Sequence, residues 1–201
     1  RKHLVITTDN SDDALQKANS LKLMLEEKGA KVFDDLNSGG GSTITILIHI
    51  TGNVPEFPKL TELTRNEWDG LVNKFINKPA EVAQNAMKTI APGCSDNPPM
   101  LKGQDGTVII IGPSLPAGKK ISGHERAKVE VFRGLLRPFV TTVNQELSDV
   151  LKSNIRVFLI LPGTVDGKEP NDENIVNTIN YLMSDEAVSS SEVIFCPDET
   201  R

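Results

Sequence analysis

The segment from Thr107 to Asp166 constrains the fold more than any other part of the chain. It holds an apolar run (TVIIIG), a loop rich in Ser, Pro and Gly, a long stretch of helical periodicity, a second apolar run (IRVFLIL) and the turn PGTVD. Two continuous apolar runs joined by a helical crossover read as fully buried strands of a parallel sheet. The turn after the second run then lies at the carboxyl edge of that sheet, where open α/β sheets hold ligands.

The rest of the chain repeats this alternation. Leu4-Val5-Ile6 predicts a short strand, and Ala14, Ala18, Leu21 and Leu25 recur at helical spacing up to Gly29, placed to end the helix. Lys31 to Phe33 begins a second strand, so the chain opens as a βαβ unit. The next strand, Thr43 to Ile50, follows a link containing Ser38-Gly39-Gly40-Gly41-Ser42 that is too short for a crossover helix. Either the chain dispenses with a strand-helix unit here or the link replaces one. Thr64 and Glu67 stand in capping-box relation, opening a helix whose Trp68, Leu71, Val72, Phe75 and Ile76 fill one face; Pro79 is expected to interrupt or kink it. Trp68 and Phe75 read as core. Val129, Phe132, Leu136, Val140, Val143, Leu147 and Val150 make one apolar face of a long helix that Pro138 should kink. A last helix carries Ile175, Ile179 and Leu182, and Val193 to Cys196 closes the sheet. No repeat or domain boundary appears, so residues 1 to 201 are expected to form one domain.

Several function classes are disfavoured. The net charge of -5 is spread along the sequence, without a basic stripe, which argues against nucleic acid. No apolar run reaches the roughly 18 residues of a spanning helix, so no membrane partner is expected and the chain is placed in the cytoplasm, or in the mitochondrial matrix if a targeting segment has been removed. Cys94 and Cys196 have no metal-site spacing and read as reduced thiols.

A dinucleotide site in a βαβ unit needs glycines in the first strand-to-helix turn, so that backbone N–H groups can approach the pyrophosphate. Here that turn has no glycine; it carries Asp9, Asp12 and Asp13, which would repel phosphate and suit the positive end of the helix. An acidic residue after the second strand would meet an adenosine ribose in a working site, and Asp34 or Asp35 occupies that place. His49, at a strand end, is a polar candidate for any cleft.

The sequence resembles the short-chain dehydrogenases/reductases over nearly its whole length, especially the 3-oxoacyl-(acyl carrier protein) reductase type. The resemblance rests on NEWDGLVNKF with the later Gln84, TVIIIGPS, Asn144-Gln145-Glu146-Leu147, IRVFLILPGTVDG and INYLMSDEAVSSSEVI. It implies a three-layer Rossmann-like α/β domain with a mostly parallel sheet, shortened in its first half. Residue by residue, the family's glycine-rich turn corresponds to Thr7 to Ala14, with only Thr7 compatible. Its NNAG stretch corresponds to His49 to Gly52, keeping Gly52. Its active-site Asn falls on Phe75 and its catalytic Ser on Ser114. Its Tyr-x-x-x-Lys pair falls on His124 and Lys128 when aligned on the loop, or on Val129 and Arg133 when counted back from Glu146-Leu147. Neither register supplies a tyrosine; the one tyrosine, Tyr181, is on the last helix.

These departures imply a non-catalytic member, like the inactive reductase-like domains found in high-molecular-weight 3-oxoacyl reductases and malonyl-CoA reductases, with no cofactor expected. Its expected partner is a second copy or an active reductase domain, met through the helix of about Val129 to Val150, the family's main dimer contact. The alternative is a divergent NAD- or NADP-dependent reductase of a 3-oxoacyl-type carbonyl. It would use Ser114, His124 and Lys128, with Thr7, Asp34, Gly52, Pro162, Gly163 and Val165 at the cofactor. A third reading keeps a cleft at Gly112 to Ser114 and Pro162 to Val165 that binds a small acyl or nucleotide ligand without turnover.

Overall fold

A computed structural model describes residues 3–33, 45–57, 59–90, 105–115, 123–150, 154–163, 171–184, 187 and 193–196. In chain order the elements are β1 (His3–Thr8), α1 (Asp12–Glu27), β2 (Lys31–Phe33), β3 (Ile46–Ile50), a 3-10 turn (Leu60–Glu62), α2 (Arg65–Val72), a π-helical turn (Asn73–Asn77) and α3 (Lys78–Ile90). They continue as β4 (Asp105–Ile111), α4 (Gly123–Gln145), a second π-helical turn (Glu146–Val150), β5 (Asn154–Pro162), α5 (Asp172–Leu182) and β6 (Val193–Cys196).

The six strands form one sheet in the order β2-β1-β3-β4-β5-β6, and every pairing is parallel. Buried on both faces, the central parts of β3 to β5 are mostly apolar at successive positions, His49 in β3 being a polar exception, which is why they read as near-continuous runs rather than alternations. Period two then divides those residues between two cores. Ile46, Ile48, Ile50, Ile109, Ile111 and Ile160 face Leu21 and Leu25 of α1 and Ile175 and Ile179 of α5. Leu47, Val108, Ile110, Leu159 and Leu161 face Ala83 and Ala86 of α3 and Leu136 and Val140 of α4. The result is the expected three-layer domain. β3 starts at Ile46 rather than Thr43, and residues 43 and 44 lie outside the described ones.

Local chemistry explains the element ends. Gly29, at φ +87°, turns the chain out of α1, and the N–H of Ala30 closes back on the carbonyl of Leu25. The capping box is present: the Thr64 hydroxyl accepts from the Glu67 N–H, while the Glu67 carboxylate accepts from the Thr64 N–H at 2.8 Å. Pro79 does not interrupt its helix. The turn before it is widened, with the Lys78 N–H reaching back to the Asn73 carbonyl, and helical structure runs unbroken from Arg65 to Ile90. Such a π-turn gives a proline ring room that a regular preceding turn would deny it. Pro138 likewise lies inside a continuous α4. Trp68 and Phe75 join a small core with Phe132, whose ring centroid lies 5.0 Å from that of Phe75 and 6.1 Å from that of Trp68.

The topology marks one place on the sheet. From β1 the chain crosses to β2 on one side and then to β3 on the other, so β1 and β3 flank the switch point where their following loops diverge.

Candidate functional site

At the switch point the turn after β1 meets the turn after β3, and side chains tie the two together. The Asp9 carboxylate accepts from the Ser11 N–H at 2.9 Å, the Ser11 hydroxyl at 2.5 Å and the Gly52 N–H at 2.9 Å, and pairs with the Lys74 ammonium at 3.1 Å. Asp13, in the first turn of α1, accepts from the Asn53 N–H, and Lys74 donates to the Asn53 carbonyl. Burial opposes the charge on Asp9. The hydroxyl and N–H of Ser11, the N–H of Gly52 and the Lys74 ammonium outweigh that effect and hold its pKa below the ordinary 3.8. Gly52 is required by contact: a Cβ there would overlap Ser11 Oγ and lie 2.9 Å from an Asp13 oxygen.

This clasp bears directly on a dinucleotide. A pyrophosphate at a βαβ switch point is held by backbone N–H groups and the positive end of the first helix. Here the N–H groups of Ser11, Gly52 and Asn53 already donate to Asp9 and Asp13, and the one cation among these partners is spent on Asp9. The residues at this turn do not fit a pyrophosphate.

The sequence-derived candidates are scattered. Thr7 shares a hydrogen bond of 3.0 Å with His49 Nδ1 inside the sheet. His49 is fully buried rather than in a cleft, and its Nε2 has no hydrogen-bond partner among the described residues. Burial, reinforced by Lys78 and opposed by Asp9, pushes the His49 pKa down to about 4. Gly52 belongs to the clasp, and the Pro162 carbonyl accepts from Arg133 at 2.7 Å. Gly163 follows β5 and is half-buried; Asp34, Asp35 and Val165 lie outside the described residues.

Ser114 and Lys128 do come together. Both line a cavity of about 580 Å³ with Asn53, Phe57 and Val129, whereas His124 sits exposed in the first turn of α4. The Lys128 ammonium donates to the Phe57 carbonyl and lies 4.9 Å from the centre of the Phe57 ring. Ser114 is buried and also lines a second cavity of about 380 Å³ beside Asp13, Thr51 and Gly112.

The second register, Val129 and Arg133, describes the inward face of α4. Val129 is buried against the larger cavity, and Arg133, 1% exposed, donates to the carbonyls of Pro113 and Pro162 at the ends of β4 and β5. Desolvation lowers the Arg133 pKa, with Glu130 opposing it and Arg137 and Arg126 adding to it. Phe75, at the family's asparagine position, is buried in the π-turn and carries no hydrogen-bonding group.

Sequence reasoning missed Lys74, Arg133 as a strand-end tie, and the reach of Asp9 and Asp13 across the switch point. Lys74 and Arg133 gave only the signal of charge on an apolar helix face. The aspartates' acidic turn was visible, but its partners are 40 or more residues away and emerge only when β1 and β3 pair. Among the described residues no group of metal-ligating side chains forms, and no helix is long and apolar enough to cross a membrane.

No protein-family model and no curated protein sequence matches the chain. Solved structures do. Enoyl-[acyl-carrier-protein] reductase (NADH) from Aquifex aeolicus VF5 aligns with a TM-score of 0.69 at 12% identity, covering 97% of this chain and 94% of that one. The 3-ketoacyl-(acyl-carrier-protein) reductase from Brucella melitensis, solved with NADH, gives 0.67 at 14% identity, covering 96% and 94%. A short-chain type dehydrogenase/reductase from Mycobacterium ulcerans gives 0.63 at 14% identity, covering 96% and 87%. With its all-parallel sheet, the switch point between β1 and β3 and these alignments, the chain has the fold of the short-chain dehydrogenases/reductases.

Proposed function

We propose that this chain is a non-catalytic domain of short-chain dehydrogenase/reductase fold that supports assembly with an active reductase domain or subunit. The observation that carries the reading is the clasp of Asp9, Ser11 and Asp13 on Gly52, Asn53 and Lys74, which puts carboxylates where a dinucleotide's phosphates would need N–H groups. Two further features support it. Val129 stands in one register, and His124 in the other, where the family has its tyrosine, so no phenol is available to protonate an alkoxide beside Ser114. Phe75 replaces the family's asparagine.

Calorimetric titration with NADH and NADPH tests the reading. It expects no saturable binding up to about 1 mM, the weak end of useful cofactor affinity. Tight binding of either cofactor overturns it.

One observation favours a reductase instead: Ser114 and Lys128 line one cavity, in a fold whose Brucella melitensis neighbour was solved with NADH. That reading requires cofactor binding and loss of turnover in His124→Ala.

A further inference from the structure

We propose that residues 54–57 form a strap over the larger cavity and that Lys128 is the latch that holds it shut, so that the cavity opens by release of the strap rather than by movement of the sheet or of α4. This goes beyond the assembly role and does not depend on it.

The strap is fixed at both ends and lightly held between them. Upstream, the N–H groups of Gly52 and Asn53 donate to Asp9 and Asp13, and Lys74 donates to the Asn53 carbonyl. Downstream, the Lys59 carbonyl accepts from the Glu62 N–H at 3.1 Å, the Lys59 ammonium pairs with the Glu62 carboxylate at 2.7 Å, and the capping box of Thr64 and Glu67 starts α2. Residues 54–57 belong to no helix or strand. Among the described residues a single hydrogen bond reaches them, from the Lys128 ammonium to the Phe57 carbonyl. Pro55 and, just beyond, Pro58 have no N–H with which to make another. A segment with so few ties opens at lower free energy than the sheet beside it.

The latch adds direction to an apolar contact. Val54 and Phe57 are half-buried against the core of Leu71, Phe75 and Phe132, and such packing is non-directional. Lys128, half-buried on α4, donates to the Phe57 carbonyl and stands 4.9 Å from the centre of the Phe57 ring, so one charge meets both a carbonyl dipole and a π-face. The cavity of about 580 Å³ lies between the two: Asn53 to Phe57 form one wall, and Leu115, Lys128 and Val129 belong to the other. Lys128 therefore bridges the walls, as a positioning residue for the strap.

The test is native-state proteolysis of the full chain by a glutamate-specific endoproteinase, with the cut after Glu56, in the strap, compared by mass spectrometry with the cut after Glu81, exposed on α3. Lys128→Met keeps the apolar stem and removes the tie; Lys128→Arg keeps a charged donor. In Lys128→Met the cut after Glu56 should be at least about tenfold faster than in the parent, the effect of losing a hydrogen bond from a charged group. The cut after Glu81 should be unchanged, and Lys128→Arg should stay near the parent. Access to the cavity is read separately by iodoacetamide labelling at position 129 in Val129→Cys, a buried wall position, which should be accelerated to a similar extent when Lys128→Met is added. A parent-like rate after Glu56 in Lys128→Met overturns the proposal. So does equal acceleration after Glu56 and Glu81, which would mean loosening of the whole domain, or equal acceleration in the Met and Arg variants, or labelling at position 129 indifferent to Lys128→Met. None of these readouts involves a nicotinamide cofactor or a partner, so failure here is distinct from failure of the assembly reading.

Discussion

Gly52 and His49 show how much the switch point asks of single residues. Replacing Gly52 by Ala would drive a methyl into Ser11 Oγ, and Ser11 could yield only by leaving Asp9. Gly52→Ala is therefore expected to cost roughly 1–3 kcal/mol in urea unfolding, the range for overpacking combined with a lost hydrogen bond to a charge. His49 makes stability depend on pH. Its folded pKa, about 4, lies below its ordinary 6.5, so the unfolded chain binds the proton more readily. The neutral form's advantage is complete above pH 6.5 and is lost as pH falls towards 4, by about 3 kcal/mol in all if the whole shift is expressed. Asp9, also lowered, adds a loss of the same sign at lower pH, near and below 3.8. Unfolding free energies measured from pH 7 to 4.5 should fall in the parent chain and fall much less in His49→Gln. Equal slopes in the two would refute the assignment.

At the scale of elements, helices end where side chains finish what the sheet leaves open. Among the described residues β6 pairs with β5 only from Leu159 to Pro162, and none of them forms a strand beside the earlier part of β5 on that side. Asn144, near the end of α4, fills the gap at Val157: its amide donates to the Val157 carbonyl at 2.6 Å and its oxygen accepts from the Val157 N–H at 2.8 Å. The side chain does the work of a strand residue. Asn144→Leu would leave both groups of Val157 unpaired and is expected to cost about 2 kcal/mol or more. Hydrogen exchange at the Val157 amide should accelerate well beyond that of Val108, deep in β4. Arg133 plays the matching part at the other end of β5, where a charge on the buried face of α4 ties two strand ends. The sequence showed Asn144 only as part of a family-like motif and Arg133 only as one alternative register, because the carbonyls they meet belong to other elements.

For the whole molecule, the assembly reading makes α4 the contact surface. Its inward face is used up by Phe132, Leu136 and Val140, while Leu135 remains 41% exposed on the outside. If the chain associates with itself or with an active reductase through α4, Leu135→Glu should lower the mass seen by light scattering without lowering the unfolding midpoint. An unchanged mass would exclude α4 as the contact. Among the described residues β2 lies at one end of the strand order, and residues 34–44, which join it to β3, lie outside them.

Among the described residues, the strands, the main helical segments, the Gly29 helix stop, the Thr64–Glu67 capping box and the three-layer architecture were legible in the linear pattern, because period and turn chemistry act over a few residues and the hydrophobic effect needs only composition at each position. The missing glycines and tyrosine were legible too, as absences at counted positions. The fate of the switch point was not. Whether Asp9 and Asp13 point to water or lock onto Gly52 and Asn53 depends on strand pairing across 40 residues, and whether His49 lines a cleft or is sealed in the sheet depends on which face of β3 it occupies. Hydrogen bonds and charges between distant segments are written in the sequence only as residue types; their partners exist once the parallel sheet has set the register.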